Sequence, residues 1–113
     1  MIMIEYLACP YHHDNPFIKQ ERFLQSCIVA AKLIDQGRII FSPISHSHPI
    51  SQFTKENNHE LWLRQDTPFL WVADRLLVLK LDGWRESRGV AFEVSHFKTN
   101  GKPIEWLESE DYL

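Results

Sequence analysis

Four short apolar runs along the chain have the length and composition of β-strands. They cover residues 1–8 (MIMIEYLA), 38–43 (RIIFSP), 75–81 (RLLVLKL) and 103–107 (PIEWL). Leucine, β-branched and aromatic residues are prominent in these runs, and polar or turn-forming residues bound them. The apolar residues of the third run are nearly continuous, which is typical of a parallel strand that is covered on both faces.

Apolar residues between these runs recur at the spacing of α-helices. For the first helix, Asn15 is the expected N-cap, Pro16 occupies the first helical position, and Gly37 ends the last turn. An apolar stripe about five turns long should face the core of the protein. Its members are Phe17, Leu24, Cys27, Ala31 and Ile34.

Two more helices are predicted farther along the chain. One covers about residues 58–73, and Pro68 is expected to break or kink it. The other begins near Ser87 and ends at Asn100 and Gly101, which form a typical C-terminal signal. The segment between the second strand and the helix at 58–73 is predicted to be a loop.

Strands that alternate with helices predict a parallel sheet joined by right-handed crossovers. The expected α/β fold is a three-layer αβα sandwich, flavodoxin-like or Rossmann-like, with a parallel sheet of about four to five strands. Residues 1–113 suit a single domain, because two halves of that length would each bury too little core. Ligands in such folds bind beyond the carboxyl ends of the strands, which nominates residues 8–11, 42–48 and 81–89.

Composition narrows the classes of function. The formal net charge is −3, so the chain has no basic surface of the kind that binds a nucleic acid polymer. The two cysteines, Cys9 and Cys27, form no disulfide framework. The N-terminus lacks a basic segment, and no apolar run is long enough to span a membrane. We therefore expect a cytoplasmic protein that does not bind membranes.

Glu93 stands beside the predicted core stripe of the last helix. Val90, Val94 and Phe97 form that stripe, and Glu93 lies three residues after Val90 and four before Phe97. Helical side chains lean toward the N-terminus of the helix, so the Glu93 carboxylate should reach over Gly89, which has no side chain. The spacing predicts an open notch above a partly buried carboxylate.

The start of the same helix offers groups that bind small anions. Ser87 and Arg88 supply a hydroxyl and a guanidinium, and the first backbone N–H groups of a helix attract negative charge. Together with Glu93 and Gly89 they predict a pocket for a small ligand. The same spacing also fits a half-exposed helix glutamate with Ser87 acting only as an N-cap.

Asp66 is a second carboxylate within an apolar stripe. It follows Trp62 by four residues and precedes Phe69 and Leu70 by three and four. It could cap a helix that begins at Pro68, or it could be a partly buried carboxylate that positions or protonates a substrate. Two carboxylates on neighbouring helices, both directed at the strand ends, are the groups that glycosyl chemistry requires.

The spacing of two histidines suggests a metal site as one hypothesis. On an extended backbone His46 and His48 would point the same way, and Cys9 or His12 are candidates for a further ligand. No other ligand has a characteristic spacing, so no metal or other cofactor is predicted. His46 and His48 are expected instead to line the pocket mouth and to bind a base or sugar. P-loop, dinucleotide-binding and nucleophile-elbow motifs are absent from the sequence.

Four segments resemble the nucleoside 2-deoxyribosyltransferase-like superfamily. Residues 5–11 (EYLACPY) resemble its Tyr-Leu-Ala-x-Pro opening, and residues 87–94 (SRGVAFEV) resemble its Ser/Asp-x-Gly-x-x-x-Glu segment. Residues 63–79 resemble its aspartate-bearing helix and the following strand, and residues 100–104 (NGKPI) its Gly-Lys-Pro turn. Residues 41–50 and 83–90 are more closely similar to the DUF1937 family.

The resemblance implies roles for particular residues. Glu93 matches the nucleophile that attacks the anomeric carbon of a 2-deoxyribosyl group, Asp66 an acidic active-site residue, and Tyr6 an aromatic residue near the glutamate. Ser87 matches a serine that a related N-glycosidase branch has at a 5′-phosphate site. The expected catalytic residues are thus Glu93, Asp66 and Tyr6. The expected substrate-binding residues are Ala8, Pro10, His46, His48, Ser87, Arg88 and Gly89.

These expectations lead to three hypotheses about function. The first is an enzyme of the N-glycosidic bond, a deoxyribosyltransferase or an N-glycosidase, in which Glu93 forms a glycosyl ester that water or another base resolves. The second is a non-catalytic module that binds or senses a nucleotide, and the third is a metal-dependent hydrolase that uses His46 and His48. The expected ligand is a nucleoside or nucleotide. Superfamily resemblance and surplus aromatic residues, among them Phe92, predict a homodimer or larger homo-oligomer.

Overall fold

The structure, a computed structural model, describes residues 2–113, so Met1 of the predicted first strand lies outside the described residues. The strands are β1 (Ile4–Ala8), β2 (Ile39–Phe41), β3 (Arg75–Lys80) and β4 (Ile104–Glu108). The helices are α1 (Pro16–Asp35), α2 (Pro43–Ile50), α3 (His59–Val72) and α4 (Arg88–Thr99). A short 3-10 turn, Ser109–Asp111, follows β4.

The four strands form one parallel sheet in the order β2-β1-β3-β4. The order reverses between β1 and β3, whose carboxyl ends meet where Ala8 pairs with Val78. Helix α1 packs on one face of the sheet, and α3 and α4 pack on the other. The predicted three-layer α/β fold is therefore confirmed, with four strands.

Alternation along the strands divides the core between the two faces. On β1, Leu7 faces α1, whereas Tyr6 and Ala8 face α3 and α4. On β3, Leu77 joins the α1 side and Val78 the opposite side. All five residues are almost fully buried, so both faces of the central strands are covered, as the continuous apolar run of β3 predicts.

The predicted buried stripe of α1 is wrong, because it lies on the solvent side of the helix. Phe17 is 81% exposed, Leu24 50% and Ile34 53%. The face that packs on the sheet consists of Ser26, Val29, Ala30 and Leu33. Because Ser26 is polar, this face was not recognised as the buried one in the sequence. In the structure the buried Ser26 hydroxyl hydrogen-bonds the Ser45 hydroxyl of α2 at 3.0 Å.

The predicted loop after β2 is also wrong, since its first part forms α2. Pro43 occupies the first helical position, where its missing N–H costs nothing. Contacts with α1, such as the stacking of His48 on Phe23, stabilise this short helix in spite of Pro49 near its end. As a consequence His46 and His48 lie on a helix and do not point the same way, as an extended backbone would require.

The sequence predicted that Pro68 would break or kink the helix at 58–73. Helix α3 is, however, not interrupted at Pro68. It runs from an N-cap at Asn58, whose side chain accepts a hydrogen bond from Leu61 N at 2.9 Å, to Val72. Asp66 therefore lies in the helix interior and does not cap a second helix. No helix within residues 2–113 has both the length and the apolar composition needed to cross a membrane.

An ion-pair network joins the amino ends of all four strands, at the edge of the sheet opposite Ala8. The Glu5 carboxylate of β1, only 3% exposed, accepts two hydrogen bonds from Arg38 at 2.8 and 2.7 Å and one from Arg75 at 3.1 Å. Arg38 also pairs with Glu105 of β4 at 3.0 Å. The hydrogen bond from Arg38 is the main reason that the pKa of Glu5 is lowered.

Candidate active site

A cleft of about 800 Å³ opens at the carboxyl edge of the sheet, where the strand order reverses. Its walls come from the end of β1, from α2, from the N-terminal half of α3 and from the start of α4. A smaller cavity of about 120 Å³ adjoins it and is bounded by Tyr6 and by residues of α3 and α4. Asp66, Gly89, Phe92 and Glu93 line both spaces.

Capping and packing of α4 determine where Glu93 lies. The Ser87 hydroxyl accepts a hydrogen bond from Val90 N at 3.2 Å and begins the helix. Val90 and Phe97 are buried against the sheet, so Glu93 between them is held at the cleft. A methyl group at Gly89 would meet nothing nearer than the Ser87 hydroxyl at 3.9 Å. The position above Glu93 is therefore open to a ligand.

The surroundings of Glu93 keep its carboxyl group protonated at neutral pH. Loss of solvation raises the pKa of Glu93 to about 8, although a hydrogen bond with Tyr6 lowers it and the charge of Asp66 raises it further. Tyr6 is itself 2% exposed, and burial followed by the charge of Glu93 raises the pKa of its hydroxyl far above the usual value. Perturbed groups of this kind, gathered at a cleft, are typical of functional sites.

Asp66 reaches the same space from α3. Phe69 of this helix stacks on Phe41 of β2, with ring centroids 4.4 Å apart, and Leu70 is buried, which orients the preceding turn toward the cleft. Burial raises the pKa of Asp66 to about 6, and the charge of His46 partly opposes this. Asp66 Oδ1 is buried without a hydrogen-bond partner among residues 2–113, so it is available to a ligand.

The α2 side of the cleft contains a group of side chains that the sequence did not predict as a unit. The Tyr11 hydroxyl lies 2.5 Å from His48 Nδ1, and His48 Nε2 lies 2.8 Å from Gln20 Oε1. The imidazole stacks on Phe23 with ring centroids 4.3 Å apart. Tyr11 falls within the nominated segment 8–11, but only the folded α2 brings His48 to it.

Five of the seven predicted substrate-binding residues line the cleft: Ala8, His48, Ser87, Arg88 and Gly89. The other two do not line it. Pro10 is fully buried in the protein, and His46 is exposed beside Phe41, with ring centroids 6.1 Å apart. Both departures follow from the fold, since the turn after β1 packs inward and α2 turns His46 away from His48.

Several cleft residues were not predicted from the sequence. Asn57, Asn58 and Trp62 line the cleft at the start of α3, and Trp62 Nε1 donates to Asn57 Oδ1 at 2.7 Å. The Asn-Asn pair before an apolar helix is the local signal that could have indicated them. Cys9 also lines the cleft, but burial and the charge of Glu93 raise the pKa of its thiol, which disfavours a reactive thiolate.

Within residues 2–113, no three histidine, cysteine, aspartate or glutamate side chains form a group that could hold a metal ion. His48 in particular has both ring nitrogens engaged by Tyr11 and Gln20. The premise of the metal hypothesis, that His46 and His48 point the same way, is wrong because the two residues lie on α2.

Comparison with known proteins adds information on the family and the fold. A family model described as a domain of unknown function, DUF1937, matches residues 3–109. Comparison with curated proteins yields no match. Among solved structures, the chain is similar to a 2-deoxyribosyltransferase from the psychrotolerant bacterium Bacillus psychrosaccharolyticus, with a TM-score of 0.65 and 21% sequence identity. That match covers 93% of this chain and 72% of the transferase, and at this identity it establishes a shared fold.

Proposed function

The chain belongs to the DUF1937 family, and we propose that this member acts on the N-glycosidic bond of a nucleoside or nucleotide, with Glu93 as the nucleophile. The observation that carries the proposal is the pair Glu93 and Asp66, which share one cleft at the strand ends, with the buried Tyr6 beside them in the adjoining cavity. The fold shared with a 2-deoxyribosyltransferase supports it.

The proposed reaction is a double displacement. Ionised Glu93 attacks the anomeric carbon, the bond from that carbon to the base nitrogen breaks, and a proton is supplied to the departing base. Asp66, a histidine or water could supply it. Because burial raises the pKa of Asp66 to about 6, Asp66 carries this proton only below about that pH, and at the pH where Glu93 ionises the donor is a histidine or water. Water, or a second base, then attacks the same carbon and releases the Glu93 carboxylate.

The start of α4 supports a phosphorylated ligand. Ser87, Arg88 and Gly89 line the cleft there, beside the first backbone N–H groups of the helix. A guanidinium and a helix N-terminus both favour an anion, and Gly89 leaves space for it. A 5′-phosphate bound at this point would leave the sugar beside Glu93.

One observation favours a second candidate, a module that binds a nucleotide without turnover. Burial raises the pKa of Glu93 to about 8, so at neutral pH most molecules carry a protonated and unreactive carboxyl group. Such a group can still hydrogen-bond a ligand. Measurement of base release separates the two candidates.

Wild-type protein should release free base from at least one of a panel of 2′-deoxynucleosides and their 5′-monophosphates. Chromatography would follow the base, and mass spectrometry of acid-quenched samples should detect the glycosyl ester on Glu93. Addition of a chelator should leave the rate unchanged. Measurable nucleotide binding without release from any member of the panel would favour the sensing module, and chelator-sensitive release that survives Glu93→Ala would favour metal-dependent hydrolysis.

The pH dependence of kcat/KM should report the ionisation of Glu93. Because the nucleophile must be ionised and its pKa is raised to about 8, kcat/KM should rise with pH and level off above that value. The negative charge of Asp66 contributes to the raised pKa, so Asp66→Asn should move this limb to lower pH, whatever its effect on the maximal rate. Glu86→Gln, at an exposed residue that also lines the cleft, is the matched control and should leave the limb in place. An unmoved limb in Asp66→Asn would contradict the assignment.

Association of copies of the chain is also part of the proposal. The outer face of α1 presents a row of exposed apolar residues, Phe17, Leu24, Ile28, Ala31 and Ile34. Single exposed apolar residues are ordinary, whereas a row that extends from Leu24 to Ile34, with Phe17 two turns before it, favours a protein partner. A second copy that buries this face would form the homo-oligomer predicted from the sequence.

A further inference from the structure

The contacts of His48 assign donor and acceptor in its hydrogen bond with the Tyr11 hydroxyl. The amide of Gln20 is oriented with Oε1 toward His48 Nε2 at 2.8 Å, and this orientation assigns the ring hydrogen to Nε2. Burial, followed by the charge of Lys19, lowers the pKa of His48, so the ring is neutral and Nδ1 has a free lone pair. The Tyr11 hydroxyl, 2.5 Å from Nδ1, therefore donates its hydrogen to His48.

Packing prevents this arrangement from rotating. The imidazole is stacked on Phe23 of α1, with an interplanar angle of 22°, and lies on α2, which is fixed to α1. The ammonium group of Lys19 lies over the Tyr11 ring, 5.3 Å from its centroid. Since Tyr11 lines the cleft and its hydrogen is engaged, the oxygen offers only lone pairs to a ligand.

We propose that Tyr11, held as a hydrogen-bond acceptor by His48, is a specificity-determining residue that selects a nucleobase with an amino group over one with a keto oxygen. The proposal rests on the proposed function for the class of ligand. If the sugar lies at Glu93 and the phosphate at the start of α4, the base is the part that remains for the α2 side.

The expected preference follows from hydrogen-bond polarity. An amino group donates to Tyr11, whereas a keto oxygen would face another acceptor and lose its bond to water without compensation. A single neutral hydrogen bond of this kind changes affinity by roughly tenfold. His48 is a positioning residue, because it acts through Tyr11 and has no ring nitrogen left for the ligand.

Equilibrium binding of matched nucleotides tests this inference. Calorimetric Kd values would be measured for the 5′-monophosphates of 2′-deoxyadenosine and 2′-deoxyinosine, and of 2′-deoxycytidine and 2′-deoxyuridine. The full chain with Glu93→Gln serves as the reference protein, since it should bind without turnover. In a pair that fits the cleft, the amino member should bind roughly tenfold more tightly.

Two variants and one control locate the preference. Tyr11→Phe removes the acceptor, and His48→Leu frees the Tyr11 hydroxyl to donate or accept, so both should bring the amino-to-keto ratio of Kd values close to one. Tyr112→Phe removes a hydroxyl from a tyrosine that packs with the α1 face of the core, and it should keep the ratio. A general loss of packing would weaken both members of a pair and leave the ratio intact.

The outcomes separate this inference from the proposed function. A reference ratio near one in both pairs, a ratio unchanged by Tyr11→Phe, or no binding of any nucleotide would overturn the role of Tyr11. An amino preference that depends on Tyr11, in a wild-type protein that releases no base, would support the inference and reject the enzyme. Base release by the wild type, together with an amino-to-keto ratio that Tyr11→Phe leaves unchanged, would support the enzyme and reject the role of Tyr11.

Discussion

Replacement of Glu93 by glutamine should reduce kcat/KM for base release by more than about 10³-fold, because an amide cannot form the glycosyl ester. The substitution preserves the size of the side chain and its place between Val90 and Phe97. Nucleotide Kd values should therefore change little, so the loss should appear in kcat. Glu60→Gln, at an exposed glutamate in the first turn of α3, is the matched control and should retain full activity.

Although Glu93→Gln should reduce activity, it should stabilise the folded protein at high pH. The pKa of Glu93 is raised from 4.5 to about 8 in the folded protein, so its contribution to stability is complete below 4.5 and is lost as the pH rises through 8. Glutamine does not ionise. Thermal unfolding above pH 8 should thus show Glu93→Gln melting higher than wild type, with a smaller difference at pH 5.

Such a result would identify Glu93 as a residue kept for function at a cost in stability. If Glu93→Gln instead retained activity within a fewfold of wild type, Glu93 would not be the nucleophile. Base release would then proceed without an ester at Glu93, and the proposed double displacement would be rejected.

Replacement of Glu5 by alanine should lower the free energy of unfolding by about 3 kcal/mol, which is the low end for a broken buried ion pair. The variant leaves Arg75 without its partner and Arg38 with Glu105 alone. Both guanidinium groups reach solvent in part, at 22% and 32% side-chain exposure, which is why the larger values are not expected. Chemical denaturation monitored by circular dichroism would measure the difference.

An exposed ion pair on the same sheet provides the control. Lys80 and Glu108, 2.8 Å apart, lie at the carboxyl ends of β3 and β4, and Glu108 is 51% exposed. Glu108→Ala should cost less than about 1 kcal/mol. Equal losses for Glu5→Ala and Glu108→Ala would show that burial of Glu5 does not determine its contribution.

The stability difference between wild type and Glu5→Ala should depend on pH in a defined direction. The pKa of Glu5 is lowered by its hydrogen bond to Arg38, so its stabilising effect is present above the ordinary value of 4.5 and is lost as the pH falls through the lowered value. The gap in stability between wild type and Glu5→Ala should therefore narrow in acid. The Glu5 network lies at the amino ends of the strands, so activity per folded molecule should be unaffected.

Features that depend on neighbours in sequence were predicted correctly from the sequence. The caps at Asn15 and Ser87 accept the expected backbone hydrogen bonds, and the apolar run at 75–81 contains the buried strand β3. The α/β fold follows from the alternation of such elements. Residues 41–50 and 83–90 sufficed to identify the DUF1937 family, which the match over residues 3–109 confirms.

Features that depend on distant residues were not predictable in this way. Helix α1 has two apolar faces, and only the sheet decides that Val29 and Leu33 are buried while Phe17 is exposed. Helix α2 contains two prolines and little helical signal, and it forms because it packs on α1.

The same division applies to the candidate site. Glu93 and its helix N-terminus could be read from the sequence, because Ser87, Gly89 and Glu93 lie within two turns of one helix. The raised pKa of Glu93 and the engagement of Tyr11 by His48 could not, because they depend on β1, α1, α2 and α3 meeting at one edge of the sheet. Local backbone preferences are encoded within a few residues, whereas burial and hydrogen-bond partners are decided only when separate elements pack.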